Sequence, residues 1–102
     1  MGLFSIDIDA GVAVYQMSKK GVLVDVRTKA EYERGHIPES INIELEHLDK
    51  ILEKVPDKDT PLFVYCRSGR RSARAKSSLK RAGYRDVTNI GGIVNYHGTL
   101  EK

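Results

Sequence analysis

The chain has 102 residues, 40% hydrophobic and 30% charged, which is the profile of one soluble domain with one core and excludes a disordered or fibrous chain. Seventeen basic residues against 14 acidic ones leave a net charge of +3, too small by itself to mark a nucleic-acid binder. A single cysteine, Cys66, excludes a disulfide scaffold, a paired-cysteine redox motif and a cysteine-based zinc cluster, since His36, His47 and His97 are widely scattered.

The N-terminal stretch carries acids where a secretory signal would carry bases, and it has no long apolar run. A cytoplasmic protein of one domain, residues 1–102, is expected. Phe4 to Ile8 reads as a short strand, and Asp9 as the N-cap of a helix whose apolar face is Ala10, Ala13, Val14 and Met17, with Gly21 past its end. Val22 to Val26 is a continuous apolar and β-branched run, read as a buried strand. Thr28 caps a short helix from Lys29 to Arg34, stopped by Gly35. Ile41 to Ile43 is a short strand, and Leu45, Leu48, Leu52 and Val55 stripe the next helix, ended by Pro56. Pro61 to Tyr65 is another buried strand, with proline at its first position. Cys66 to Arg70 is a loop, Ala75, Leu79 and Ala82 stripe a helix that stops at Gly83, and Val87 to Ile90 is the last strand before a Gly91-Gly92 turn.

Strands and helices of this length in alternation predict an α/β fold with a mostly parallel sheet covered on both faces. Ligands in such sheets sit beyond the carboxyl ends of strands, here Asp25-Val26-Arg27 and Tyr65-Cys66-Arg67.

The loop after Cys66 carries the chemistry. The thiolate is the nucleophilic form of cysteine, and a helix N-terminus offers unpaired N–H groups and a positive dipole end that favour it. Gly69 lets successive amides point inward, and Arg67, Arg70 and Arg71 add forked donors suited to oxyanions. From Arg67 to Arg85 there are eight basic residues and no acid, so the segment attracts anions, while the absence of aromatics from Arg67 to Arg81 leaves no base-stacking platform for nucleic acid. Two chemistries use such a loop, sulfur transfer and phosphoryl transfer. A cysteine phosphatase would have histidine before the cysteine and arginine six residues after it. Tyr65 and Ser72 stand at those places, and Arg71 falls one residue early.

Three motifs in order resemble the rhodanese, or thiosulfate sulfurtransferase, homology domain over roughly Val22 to Tyr96. They are Leu23-Val24-Asp25-Val26-Arg27 with Glu31, Tyr32 and Gly35-His36-Ile37-Pro38; Cys66 to Arg71 followed by Ser72; and Asn89-Ile90-Gly91-Gly92-Ile93. The resemblance implies a rhodanese-like α/β fold with a central parallel sheet of about five strands and helices on both faces. It implies that Cys66 takes a sulfane sulfur from a small anionic donor such as thiosulfate, becomes a persulfide, and yields the sulfur to cyanide, a thiol or a protein acceptor. Cys66 is then the catalytic residue. Arg67 and Arg71, with Arg70, bind the anion, and Ser68, Gly69 and the amides through Ser72 line the cradle. A monomer working without cofactor, metal, membrane or nucleic acid is expected. The alternative class is a persulfide carrier or binding module acting with a partner protein, motivated by the basic helix after Arg71; a phosphatase ranks last.

The chain departs from the family pattern at Glu39-Ser40, where Gly-Ala is common, and at Tyr96, where tryptophan is common. Asp25 and Arg27 read as an ion pair tying neighbouring loops together, His36 as a structural hydrogen-bonding residue, His47 and His97 as residues without a convincing partner, and Tyr96 as a packing residue.

Overall fold

The computed structural model describes residues 7–102. Four parallel strands, β1 (Val22–Asp25), β2 (Ile41–Asn42), β3 (Leu62–Cys66) and β4 (Val87–Gly92), form one sheet in the order β2-β1-β3-β4. About five strands were expected. The expected first one, Phe4 to Ile8, lies outside the described residues except at its end, where Ile8 is helical.

Strand alternation divides the sheet's side chains between two hydrophobic clusters. Val24, Leu62, Val64, Cys66 and Val87 face one cluster, beneath α3 (Ile51–Lys54) and α4 (Arg70–Arg81), whose Ile51, Ala75 and Leu79 complete it. Leu23, Phe63, Tyr65 and Ile90 face the other, under α1 (Ile8–Met17). Helices therefore cover both faces, and every residue of β3 is buried.

The helix α2 (Lys29–Arg34) follows its sequence closely. The Thr28 side chain accepts from the Glu31 amide while the Glu31 carboxylate accepts from the Thr28 amide, a reciprocal capping box. Two other helices differ from expectation. The N-cap of α1 is Asp7, not Asp9, with its carboxylate accepting from the Ala10 amide at 2.9 Å. Including Ile8 in the helix completes the set Ile8, Gly11, Val12 and Tyr15 at i, i+3, i+4, i+7, and this set packs on the sheet. The expected face turns outward instead, and Met17 is 84% exposed. The reason is a tertiary contact: Gly11 permits backbone approach to Ile90, and Ile8, Val12 and Tyr15 beside it pack on the sheet. The second difference lies in the Leu45, Leu48, Leu52 and Val55 stripe. Residues Leu45–Lys50 form 3₁₀ turns broken by His47 (φ −124°, ψ 34°) before the short α3. That break rotates Ile51 into the core and Leu52 into solvent.

The end of β4 is irregular in a useful way. Val64 pairs with Asn89, but Tyr65 pairs with Gly91, so Ile90 is an extra residue in a bulge. Gly91 takes φ 102°, as the Gly-Gly pair led us to expect, whereas Gly92 has ordinary backbone angles and is required for closeness. A Cβ on Gly92 would lie 2.3 Å from the Arg67 carbonyl oxygen and 2.5 Å from Ser68 Cα. The pair belongs to the strand and not to a turn after it.

The corrected face of α1 is testable. A Cβ at Gly11 would lie 2.3 Å from Ile90 Cβ, so Gly11→Ala is expected to destabilise by about 1–3 kcal/mol through overpacking, although alanine ordinarily favours a helix. Met17→Glu is expected to stay within about 0.5 kcal/mol of the parent. Urea unfolding of both variants checks this, and the reverse ranking would contradict the packing described.

Candidate active site

Cys66 ends the central, fully buried strand, and its side chain belongs to the cluster beneath α4. The residue is 1% exposed. Directly after it the chain turns back through Gly69, at φ 99°, into the first turn of α4. Only a residue tolerant of left-handed angles fits there. The turn points N–H groups at the sulfur: the Gly69 amide donates to Cys66 Sγ at 3.0 Å and the Ser72 amide at 3.4 Å, and the Ser72 hydroxyl lies 3.4 Å away. Burial pushes the thiol up, but the Ser72 hydroxyl and the amides of Ser72, Gly69 and Ser68 outweigh it, and the net shift is below the ordinary thiol value.

The basic residues of the loop fall into two groups. Arg67 and Arg70 are exposed, and neither pairs with a carboxylate among the described residues. Arg71 is engaged: its two terminal nitrogens donate to the two carboxylate oxygens of Glu31 at 2.7 and 2.9 Å. Ser68 is exposed, Gly69 half-buried and Ser72 fully buried. Of the six loop residues singled out in the sequence, Ser68, Gly69 and Ser72 donate to the thiol, Arg71 faces a carboxylate, and Arg67 and Arg70 face solvent.

Two residues whose part in the site the sequence left unassigned hold this loop. Asn89, on β4, accepts from the Ser72 hydroxyl at 2.7 Å and from the Gly91 amide at 3.0 Å, and donates to the Gly69 carbonyl at 3.1 Å. Ser72 has one hydroxyl proton and two acceptors within reach, Asn89 Oδ1 and Cys66 Sγ, so its proton can follow charge on the sulfur. A signal existed, because asparagine is unfavourable within a buried strand unless its amide is used. Glu31 is the other residue. In the sequence it was only a letter of the first motif; its bond to Thr28 and its grip on Arg71, 40 positions away, come from the structure.

Asp25 and Arg27 form the expected ion pair, both buried, with the Arg27 guanidinium at 2.7 Å from the Asp25 carboxylate and also donating to the Gly35 carbonyl at 2.7 Å. The pair ties the end of β1 to the end of α2. His36 is structural, stacked on Tyr32 with ring centroids 3.7 Å apart and its Nδ1 2.9 Å from the Tyr32 carbonyl. Ser40 Oγ meets the Tyr65 hydroxyl at 3.1 Å, and Glu39 adopts φ 75°, the left-handed angle that suits the glycine common at that place. Tyr96 packs against the α1 side of the core. His97, expected to lack a partner, has one: its Nδ1 lies 2.6 Å from Asp9 Oδ2, and its amide donates to the same carboxylate. Their 88-residue separation hides the contact from any local reading. His47 lies 4.0 Å from Glu44 on an exposed surface. Among the described residues no group of three or more His, Cys, Asp and Glu could hold a metal ion, and no helix is long and apolar enough to cross a membrane.

A parallel α/β sheet with a buried cysteine at the carboxyl end of its central strand, cradled by the amides of a six-residue basic loop, defines a rhodanese-type domain. The chain belongs to the rhodanese-like domain family, whose pattern matches residues 12–99. It is 41% identical over 71 residues to the thiosulfate sulfurtransferase PspE of Escherichia coli (strain K12), covering 69% of this chain and 68% of that protein. It is 39% identical over 80 residues to a sulfurtransferase of Allochromatium vinosum, covering 76% and 74%. Among solved structures, a rhodanese with anions from E. coli superposes with a TM-score of 0.75 at 36% identity, covering 80% of this chain and 98% of that one. These relationships place the chain among the sulfurtransferases in general terms.

The Glu31–Arg71 pair gives a pH dependence with a definite sign. The Arg71 guanidinium holds the Glu31 carboxyl at about 2, against an ordinary value of 4.5. A carboxyl depressed in the folded state stabilises fully above its unfolded value, and that contribution is lost as pH falls from about 4.5 towards 2. Both side chains are partly exposed, which keeps the amount small. Glu31→Gln is therefore expected to show a shallower loss of stability across that acid range than the parent, measured by thermal unfolding at successive pH values.

Proposed function

We propose that the protein is a sulfurtransferase that carries sulfane sulfur on Cys66, loading it from a small anionic donor of the thiosulfate type and passing it to a thiophilic acceptor. The observation that carries this reading is the sulfur itself, buried yet surrounded by N–H and O–H donors that favour a negative charge on it. In the loading step the Cys66 thiolate attacks the outer sulfur of thiosulfate. A bond forms between Sγ and that sulfur, the sulfur–sulfur bond of the donor breaks, and sulfite departs with the electron pair. The product is a Cys66 persulfide, whose outer charged sulfur replaces the thiolate as the acceptor of loop amides.

Roles within the loop follow from position. Arg67 and Arg70, exposed at its edge, meet the incoming anion and the departing sulfite. The Ser68, Gly69 and Ser72 amides stabilise charge on sulfur. Arg71, held by Glu31, fixes the flank of the loop. A lone thiol with no partner cysteine suits a reducing compartment, and we place the activity in the cytoplasm.

Incubation with thiosulfate is expected to add one sulfur atom to the intact mass, and cyanide is expected to remove it as thiocyanate; Cys66→Ser should abolish both. A protein that gains no sulfur and forms no thiocyanate would sink the proposal. The thiol chemistry has its own check. The rate of Cys66 alkylation is expected to titrate below the ~8.5 of a free cysteine. Ser72→Ala should move that midpoint upward, because it removes the hydroxyl that does most to hold the thiol down.

A second reading, a persulfide carrier serving a partner protein, draws on the row of exposed Arg70, Arg74 and Arg81 along one face of α4. It requires slow turnover of thiosulfate by the isolated protein and faster loading by a partner, which the same mass measurement distinguishes.

A further inference from the structure

Asparagine is an uncommon choice inside a parallel strand, because its side-chain amide must find partners there. Asn89 pairs with Val64 in the sheet, one residue before the bulge at Ile90. The bulge turns the chain enough for the Gly91 amide to donate to Asn89 Oδ1 at 3.0 Å. Asn89 Nδ2 donates to the Gly69 carbonyl at 3.1 Å. These two bonds fix which end of the amide is which. Turned over, it would set an N–H against the Gly91 N–H and an oxygen against the Gly69 carbonyl. The orientation leaves one acceptor position on Oδ1, and the Ser72 hydroxyl fills it at 2.7 Å.

Ser72 is fully buried, so its hydroxyl depends on protein partners. Its single proton has two acceptors, Asn89 Oδ1 at 2.7 Å and Cys66 Sγ at 3.4 Å. A thiol or a divalent sulfur is a weak acceptor, and a thiolate is a strong one. We propose that Asn89 is a positioning residue of the sulfur-transfer reaction: it holds the Ser72 hydroxyl proton whenever Sγ is uncharged and releases it to Sγ when charge arrives there. The inference rests on the sulfurtransferase reading above and deepens it at that same site.

The hydroxyl therefore changes partner twice in each cycle. In loading, the Cys66 thiolate attacks the outer sulfur of thiosulfate, and sulfite leaves with the electron pair. Sγ ends uncharged, the charge lies on the outer sulfur, and the Ser72 proton turns to Asn89. In discharge, the acceptor attacks the outer sulfur, the bond to Sγ breaks with its electron pair returning to Sγ, and the proton turns back. No bond to hydrogen is made or broken; the hydroxyl only rotates about its Cβ–Oγ bond. Without Asn89 Oδ1 the buried hydroxyl would lack a good acceptor in two of the three sulfur states, thiol and persulfide. The charged groups around the loop supply no substitute. Arg67 and Arg70 are exposed, Arg71 is bound to Glu31, Asp25 is bound to Arg27, and β4 itself carries no titratable side chain.

The test reads the pH midpoint of Cys66 alkylation in a cycle of the parent, Ser72→Ala, Asn89→Asp and the double variant. Asn89→Asp puts a carboxylate oxygen in place of the amide oxygen and keeps the proton from Sγ. Its midpoint is expected to rise by about one pH unit, the worth of a hydrogen bond to a charged group. Ser72→Ala is expected to raise the parent's midpoint and to add nothing in the Asn89→Asp background, where that hydroxyl no longer reaches the sulfur. A carboxylate acting by charge repulsion alone would give additive shifts, and additivity would overturn the inference. Single-turnover removal of loaded sulfur by cyanide is expected to slow about tenfold in Asn89→Asp and no further in the double variant. A second measurement, on the unsubstituted chain, stands whether or not the variants fold. In isotope-labelled protein the Asn89 side-chain amide resonances are expected to move as Cys66 ionises. They are expected to return to their thiol-form positions when thiosulfate loads sulfur at the same pH, although the site stays negatively charged. Resonances that remain at their thiolate-form positions after loading would overturn the inference. A parent that gains no sulfur mass would instead overturn the sulfurtransferase reading, and the alkylation cycle would then decide the placement of the proton by itself.

Discussion

A sulfur atom that is to be nucleophilic at neutral pH must hold a negative charge, and a sulfur at the end of a fully buried strand has little water to help it. The charge is tolerable only if protein donors take the place of solvent. Much of the local architecture follows from that requirement. The donors are the orphan amides of a helix start, which exist only because the chain turns from β3 into α4 within a few residues. The turn is possible only with left-handed angles at Gly69. The loop can lie low over the sheet only because Gly92 has no Cβ to strike the Arg67 carbonyl. The bulge at Ile90, in turn, brings Gly91 and Gly92 opposite Tyr65 and Cys66. A strand irregularity, two glycines and a helix terminus thus converge on one atom.

The loop is clamped from both sides by residues that never touch the sulfur. From β4, Asn89 binds Gly69 and Ser72, the two residues whose amides face Sγ. From α2, Glu31 holds Arg71 by both carboxylate oxygens. The second clamp has an electrostatic consequence, because a guanidinium paired with a carboxylate exerts little net field on a neighbour. Hydrogen bonds, led by the Ser72 hydroxyl, do most to lower the Cys66 thiol, and Arg71 and the Cys66 thiolate also attract one another. The arginines left unpaired, Arg67 and Arg70, stand outside the cradle, where they face solvent and whatever anion arrives from it.

Legibility from sequence tracked how local each determinant is. The Thr28 cap of α2, the buried strand β3, the stop of α4 near Gly83 and the Cys66 loop are written in consecutive residues, and they were readable to within a residue or two. The inward face of α1 was not, because it depends on whether Ile8 is the end of a strand or the start of a helix, and on a close contact between Gly11 and Ile90 about 80 positions away. The stripe after Leu45 held at Leu45, Leu48 and Val55 and missed only at Leu52, for a related reason: a single non-helical residue, His47, resets the period, and the choice between Ile51 and Leu52 then rests on the sheet beneath. At the site, Cys66 and the donors to its sulfur were legible because they form one short segment. Asn89 and Glu31 were visible as motif letters, but their partners lie 17 and 40 positions away, and only the fold brings them together.

The same geometry bears on what the proposed transfer of sulfur from thiosulfate asks of a chain with a single thiol. Thiosulfate and sulfite are both dianions, so the loading step needs cations at the loop edge and nothing apolar. In the proposed persulfide the charge sits on the outer sulfur, which takes over the loop amides from the thiolate. Removing that sulfur needs a nucleophile delivered along the sulfur–sulfur axis, and a resolving cysteine in the same chain is absent. On the proposed reading, the acceptor's nucleophile is therefore not a second cysteine of these 102 residues, and it must approach a sulfur whose donors all come from the loop side.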